Sequence, residues 1–165
     1  VETLAMKLAR LDEDGLDLVF TSGADFNLLG CKAPSELKSR MDRAKRELDS
    51  MGTDMAGCLS SIFSTYRQNQ KYARRALTLI VLTDGMWSVS ASKERGNKVE
   101  ETIVDFVNEL MKISQDVQAK VKYRRWFSIQ FVSFATDPTA HANLKHFDSV
   151  MWKEREIPLV PNPTY

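Results

Sequence analysis

An excess of charge of either sign is the first thing this sequence lacks. Its 23 Lys and Arg face 22 Asp and Glu, for a net charge of +1 over 165 residues. That balance argues against wholesale binding to nucleic acid or to a membrane surface, although local patches stay open. Long apolar runs are missing too. None approaches the roughly 20 residues that a membrane span requires, and the N-terminus has no signal-peptide pattern. Cysteine is scarce. Cys31 and Cys58 have no metal-ligand spacing and read as two reduced thiols of a cytosolic protein. Histidine is equally rare, and His141 and His146, five residues apart, do not share a helix face for a metal. What remains is ordinary. A chain with 43% apolar and 27% charged residues fits a soluble globular domain. At this length we expect a single domain, residues 1–165, with a sizeable core.

The most informative stretch is Thr78-Leu79-Ile80-Val81-Leu82-Thr83-Asp84-Gly85. From Leu77 to Leu82 the chain is almost continuously apolar and of strand length. A strand apolar on both sides is expected in the middle of a parallel sheet covered on both faces. Gly85 permits a sharp turn after it and leaves Asp84 at the strand's carboxyl end, where open α/β sheets receive their ligands. Two readings of Asp84 stand at this point: a functional carboxylate, or a residue that only caps the turn.

The other elements follow from periodicity. Leu4, Leu8 and Leu11 put one apolar face on a helix over Val1–Leu11. The cluster Asp12-Glu13-Asp14-Gly15 lacks the spacing and the distal Glu of a calcium loop, so it reads as a solvated turn, with Gly15 ending the helix. Leu16–Thr21 is a strand, and Phe26–Leu29 a short edge strand. Pro34 opens a helix with Leu37, Met41, Ala44 and Leu48 inward. The Lys38, Arg40, Arg43, Lys45 and Arg46 face of that helix is a solvated one. Met55, Leu59, Ile62 or Phe63, and Tyr66 mark a core helix.

After a loop over Met86–Gly96, Asn97 and Glu100 have capping-box spacing. They open a helix with Ile103, Phe106 or Val107, Leu110, Ile113 and Val117 inward. A strand over Phe127–Phe134 follows. Asp137 caps the next helix, with Pro138 in its first turn. Ile157–Val160 reads as an edge strand, since Pro158 and Pro161 exclude a central one. The expected core includes Leu59, Phe63, Ile80, Leu82, Phe106, Leu110, Ile129 and Phe131. Strands alternating with helices predict an α/β fold, a doubly wound, mainly parallel sheet with helices on both faces. Such domains begin with a strand and this one begins with a helix, so a first central strand is expected ahead of Val1.

Two stretches together resemble the von Willebrand factor A domain: Gly52-Thr53-Asp54-Met55-Ala56-Gly57-Cys58-Leu59, and Leu77 to Gly85 with its Thr-Asp-Gly ending. Phe127 to Pro138, with Leu144 and Asp148 after it, is similar to intracellular fungal members of that family. The resemblance spans nearly the whole chain. It implies a protein-interaction module with a divalent cation, magnesium or manganese, held at the carboxyl edge of the sheet. Thr53 and Asp84 match two of that site's ligands. Hydroxyl and carboxylate oxygens are the hard donors such ions take. The third contribution, an Asp-x-Ser-x-Ser loop after the first strand, occurs nowhere in the sequence. Ser88, Ser90 and Ser92 alternate but follow Asp84 in a loop. The missing loop belongs where the missing strand was inferred, ahead of Val1. The alternative is a metal-free variant.

The function expected on this basis is non-enzymatic: capture of a protein partner at the sheet's carboxyl edge, in the cytoplasm, with no nucleic acid, no membrane and no small-molecule substrate. The competing reading is a phosphoryl-transfer hydrolase with Asp84 as nucleophile. Such enzymes usually carry a second Asp two residues on, and here that position is Met86. A third reading, an anion-binding patch of Arg74, Arg75, Arg124 and Arg125 at the opposite edge, competes with plain solubilising charge. Trp87, beside Asp84, is either a lid over the core or an interface aromatic.

Overall fold

The computed structural model describes residues 15–47, 53–68, 77–85, 93–118, 127–134 and 136–147, with only the backbone of 93–97 and 111–118. The expected helix Val1–Leu11, Trp87 and the serines after it, the four paired arginines and the expected strand Ile157–Val160 lie outside these residues. The fold is mixed α/β; among the described residues there are four α-helices and two two-stranded sheets, one antiparallel and one parallel. The chain divides into two compact units, Val1–Cys58 and Leu59–Tyr165.

In the first unit, strand β1 (Leu16–Leu18) pairs antiparallel with β2 (Leu28–Cys31). A 3-10 turn, Ala24–Phe26, lies between them. The expected helix ahead of Gly15 lies outside the described residues. Gly15 sits at φ 92° directly before β1, where a Cβ would fall 2.6 Å from the Gly30 carbonyl. The position therefore needs glycine for both its conformation and its space. Asp17 Oδ1 accepts from the Gly30 N–H at 2.7 Å, and Asn27 Oδ1 accepts from the Phe20 N–H at 2.9 Å. These side chains bind the backbone of the β1–β2 turn region.

The strand expected over Leu16–Thr21 is thus shorter. Among the described residues its ladder partner is β2, not the Leu77–Thr83 strand. The expected Phe26–Leu29 strand lies two residues later, because Phe26 closes the 3-10 turn and is buried. Helix α1 (Pro34–Glu47) buries Leu37 and Ala44, and the Leu37 side packs with Cys31, Leu16, Leu18 and Leu28. On its charged face Lys38, Arg43, Lys45 and Arg46 are exposed and Arg40 is half-buried, and the charge is partly neutralised along the helix by Lys38–Asp42 and Arg43–Glu47 pairs. The solvated reading fits that face. Cys31 and Cys58 are both free thiols.

In the second unit, β3 (Leu77–Thr83) and β4 (Phe127–Ser133) run parallel in unbroken register from Leu77↔Phe127 to Thr83↔Ser133. Helix α3 (Lys93–Gln118) connects them in sequence. Parallel neighbours need such a crossover, and the apolar strand–helix–strand pattern supplies it. Helix α3 starts at Lys93, so Asn97 is its second turn and not its cap. Its buried side chains Val99, Ile103 and Phe106 follow the 3.6-residue period.

Helix α2 (Met55–Gln68) contributes Leu59, Phe63 and Tyr66, all buried. Phe63 stacks face to face on Phe106 at 3.9 Å between ring centroids, and both rings meet Phe127 edge-on at 5.8 and 5.2 Å. Tyr66 adds a further edge-on contact to Phe106 at 5.9 Å. This four-ring cluster is the centre of the second unit's core. Between the expected alternatives, Phe63 and Phe106 are buried, and Ile62 and Val107 are half-buried.

The core differs from expectation at several positions. Leu59, Phe63 and Phe106 are buried, but Ile80, Leu82, Leu110, Ile129 and Phe131 are only half-buried. Paired residues of a parallel ladder share a face. Phe127 and Phe131 carry ring contacts on one face, to Phe63 and Phe106 and to Phe147. Val81 and Thr83 lie on that same face and are the buried residues of β3. The opposite face carries Ile80, Leu82, Gln130 and Val132, and Val132 and Phe134 are exposed. The fully buried residues of β3, Val81 and Thr83, thus share one face, while Leu77, Leu79, Ile80 and Leu82 are half-buried.

Candidate functional site

The carboxyl end of the β3–β4 pair is built by a small set of backbone-directed bonds. Thr83 is buried, and its carbonyl accepts from the Phe134 N–H at 3.1 Å, which extends the ladder one residue beyond β4. Its hydroxyl oxygen accepts from the Gly85 N–H at 2.9 Å. A Thr hydroxyl turning the chain two residues on is a local device that competes well with continued strand. Gly85 then adopts φ 76°, and its flank lies against Ala140, where an added Cβ would come within 2.8 Å of the Ala140 Cβ and 3.1 Å of its backbone. The Asn143 side-chain amide donates to the Gly85 carbonyl at 3.3 Å. Both neighbours of Asp84 are thus fixed and buried, while Asp84 itself is exposed at the strand's end.

Ala140 and Asn143 belong to helix α4 (Pro138–Lys145), which packs on β4. Its start matches the sequence pattern. Asp137 Oδ1 accepts from the Thr139 and Ala140 N–H groups at 2.7 and 3.2 Å, and Pro138 occupies the first turn. Hydrogen bonds from Ala140 and then Thr139 hold the Asp137 carboxyl below its ordinary value. A carboxylate whose value is depressed on folding stabilises the fold above the unfolded-state value, about 4, and loses that effect as pH falls through the depressed one. Asp137→Ala should therefore melt below wild type at neutral pH, with the gap closing as pH falls through and below the carboxylate range. A gap independent of pH, read by thermal melts in a pH series, would show that the ionised cap is not the cause.

Beyond α4, His146 Nε2 lies 3.0 Å from Oε2 of Glu100, a buried carboxylate of α3. Phe147, the next residue, stacks on Phe131 of β4 at 5.4 Å. Together these contacts tie the end of α4 to α3 and β4. His141 is exposed and His146 half-buried.

Thr53, the other residue matched to the metal site, lies in the first unit, just ahead of α2. It is not the helix cap. Asp54 takes that role, since its Oδ1 accepts from the Gly57 N–H at 2.9 Å and its carbonyl accepts from the Cys58 N–H at 3.1 Å. Gly57 has no Cβ to collide with that carboxylate, which folds over it. Sequence reasoning missed this cap, although an Asp three residues before a helical Gly was a readable signal. The Cys58 thiol, behind the same turn, is pushed up by burial and then by the Asp54 charge, which makes it a poor nucleophile at neutral pH.

Thr53 belongs to the first unit and Asp84 to the second. Their donor chemistry is of the right kind for magnesium or manganese. Two side-chain oxygens would leave most of the roughly six positions around such an ion to water or to other ligands. Among the described residues no group of three or more His, Cys, Asp or Glu is arranged to hold a metal. Among them, too, no helix is long and apolar enough to cross a membrane. Compared with protein-family models, curated proteins and solved structures, the chain matches none.

Proposed function

We propose that this chain is an interaction module of the von Willebrand factor A type, which binds a protein partner at the carboxyl edge of the β3–β4 pair, around Asp84. The observation that carries the reading is the position of Asp84. It is an exposed carboxylate at the end of an apolar strand, held there by the Thr83, Gly85 and Asn143 bonds. The neighbouring strand runs parallel and ends at the same edge. That is the edge at which open α/β sheets meet their ligands. The fold that goes with this function is a doubly wound, mainly parallel sheet with helices on both faces, and the β3–α3–β4 unit supports it. Two free thiols suit a cytoplasmic setting.

A bridging magnesium or manganese ion forms part of the family resemblance, with Thr53 and Asp84 as its matched ligands. Thr53 and Asp84 alone would hold such an ion only loosely, and the partner binds with or without it. Asp84 offers a charge, and Phe134, exposed at the end of the neighbouring strand, offers contact surface. Calorimetric titration of magnesium or manganese into the 165-residue chain should show no saturable binding at millimolar ion. A version supplied with an Asp-x-Ser-x-Ser loop ahead of Val1 should bind, and should lose that binding on Asp84→Ala. Tight binding by the unextended chain that survives Asp84→Ala would place the metal elsewhere and remove Asp84 from the proposal.

A further inference from the structure

We draw no further inference here: the strongest candidate, the apolar face of the β3–β4 pair on which Val132 and Phe134 are exposed beside Ile80 and Leu82, carries nothing because nothing in the structure shows what covers it.

Discussion

Phe63→Ala should cost the Leu59–Tyr165 unit about 3–5 kcal/mol of stability, the range for deleting a buried aromatic ring from a packed core. Phe63 is 2% exposed. It stacks on Phe106 and meets Phe127 edge-on, so its loss removes two ring contacts from the cluster. Aromatic pairs of this geometry contribute roughly 0.5–1.5 kcal/mol beyond the area they bury. The cavity would sit between α2, α3 and β4, where Ile103, with no exposed surface, and Leu59, 1% exposed, leave little room for collapse. Small domains have only about 5–15 kcal/mol in total. The variant should therefore show a much lower urea midpoint with an unchanged slope. An unchanged midpoint would mean that the face assigned to α2 is wrong. Leu110→Ala, on the same helix as Phe106 but half-buried, should cost clearly less.

Gly85→Ala should be the second large effect, and it should act at the edge that carries Asp84. Two physical terms combine. At φ 76° a side chain suffers the left-handed penalty of roughly 1–2 kcal/mol. The new Cβ would also overlap Ala140, and overpacking of this kind typically adds about 1–3 kcal/mol. Replacing Ala140 by Gly in the same chain removes the nearest obstacle, the Ala140 Cβ, and leaves the backbone term. The double variant Gly85→Ala/Ala140→Gly should then recover part of the loss, apart from the cost of a helical Gly, about 1 kcal/mol. Denaturant melts of both variants check this. If Gly85→Ala were as stable as wild type, the turn after β3 would not have the shape described, and the display of Asp84 would lose its physical basis.

The parts that were readable in the sequence are those governed by local pattern. The bounds of β3 matched the apolar run, since a run of that length between polar stretches has few other folds. The Asp137–Pro138 start of α4 was readable because a cap and a first-turn proline are neighbours in the chain. The start of α3 was misread. Asn97 and Glu100 have capping-box spacing, but Lys93–Gly96 already continue the helix upstream, and Glu100 instead faces His146. The strand faces were not readable either. Leu77 to Leu82 is apolar on both sides, so alternation carried no information, and burial was decided by where Phe63, Phe106 and Phe147 lie.

At the candidate site, Asp84 was legible from the strand end and the glycine. The Thr83 hydroxyl bond was legible in principle, as a Thr two residues before a turn glycine. The Ala140 and Asn143 contacts to Gly85 span 55 residues or more of chain, and no single-sequence pattern encodes them. The antiparallel pairing of β1 with β2 turned on Gly15, whose close approach to Gly30 cannot be told from a helix stop in the sequence alone.

The central claim is that the Asp84 edge binds a protein partner. Quantitative affinity capture with three forms of the chain tests it most directly: wild type, Asp84→Ala, and Asp105→Ala as a control at an exposed position of α3, each shown to melt at the same temperature. The account predicts a defined set of partners retained by wild type and Asp105→Ala and lost from Asp84→Ala. Partner sets that are identical in all three forms, or turnover of a generic phosphate ester that disappears in Asp84→Asn, would contradict it.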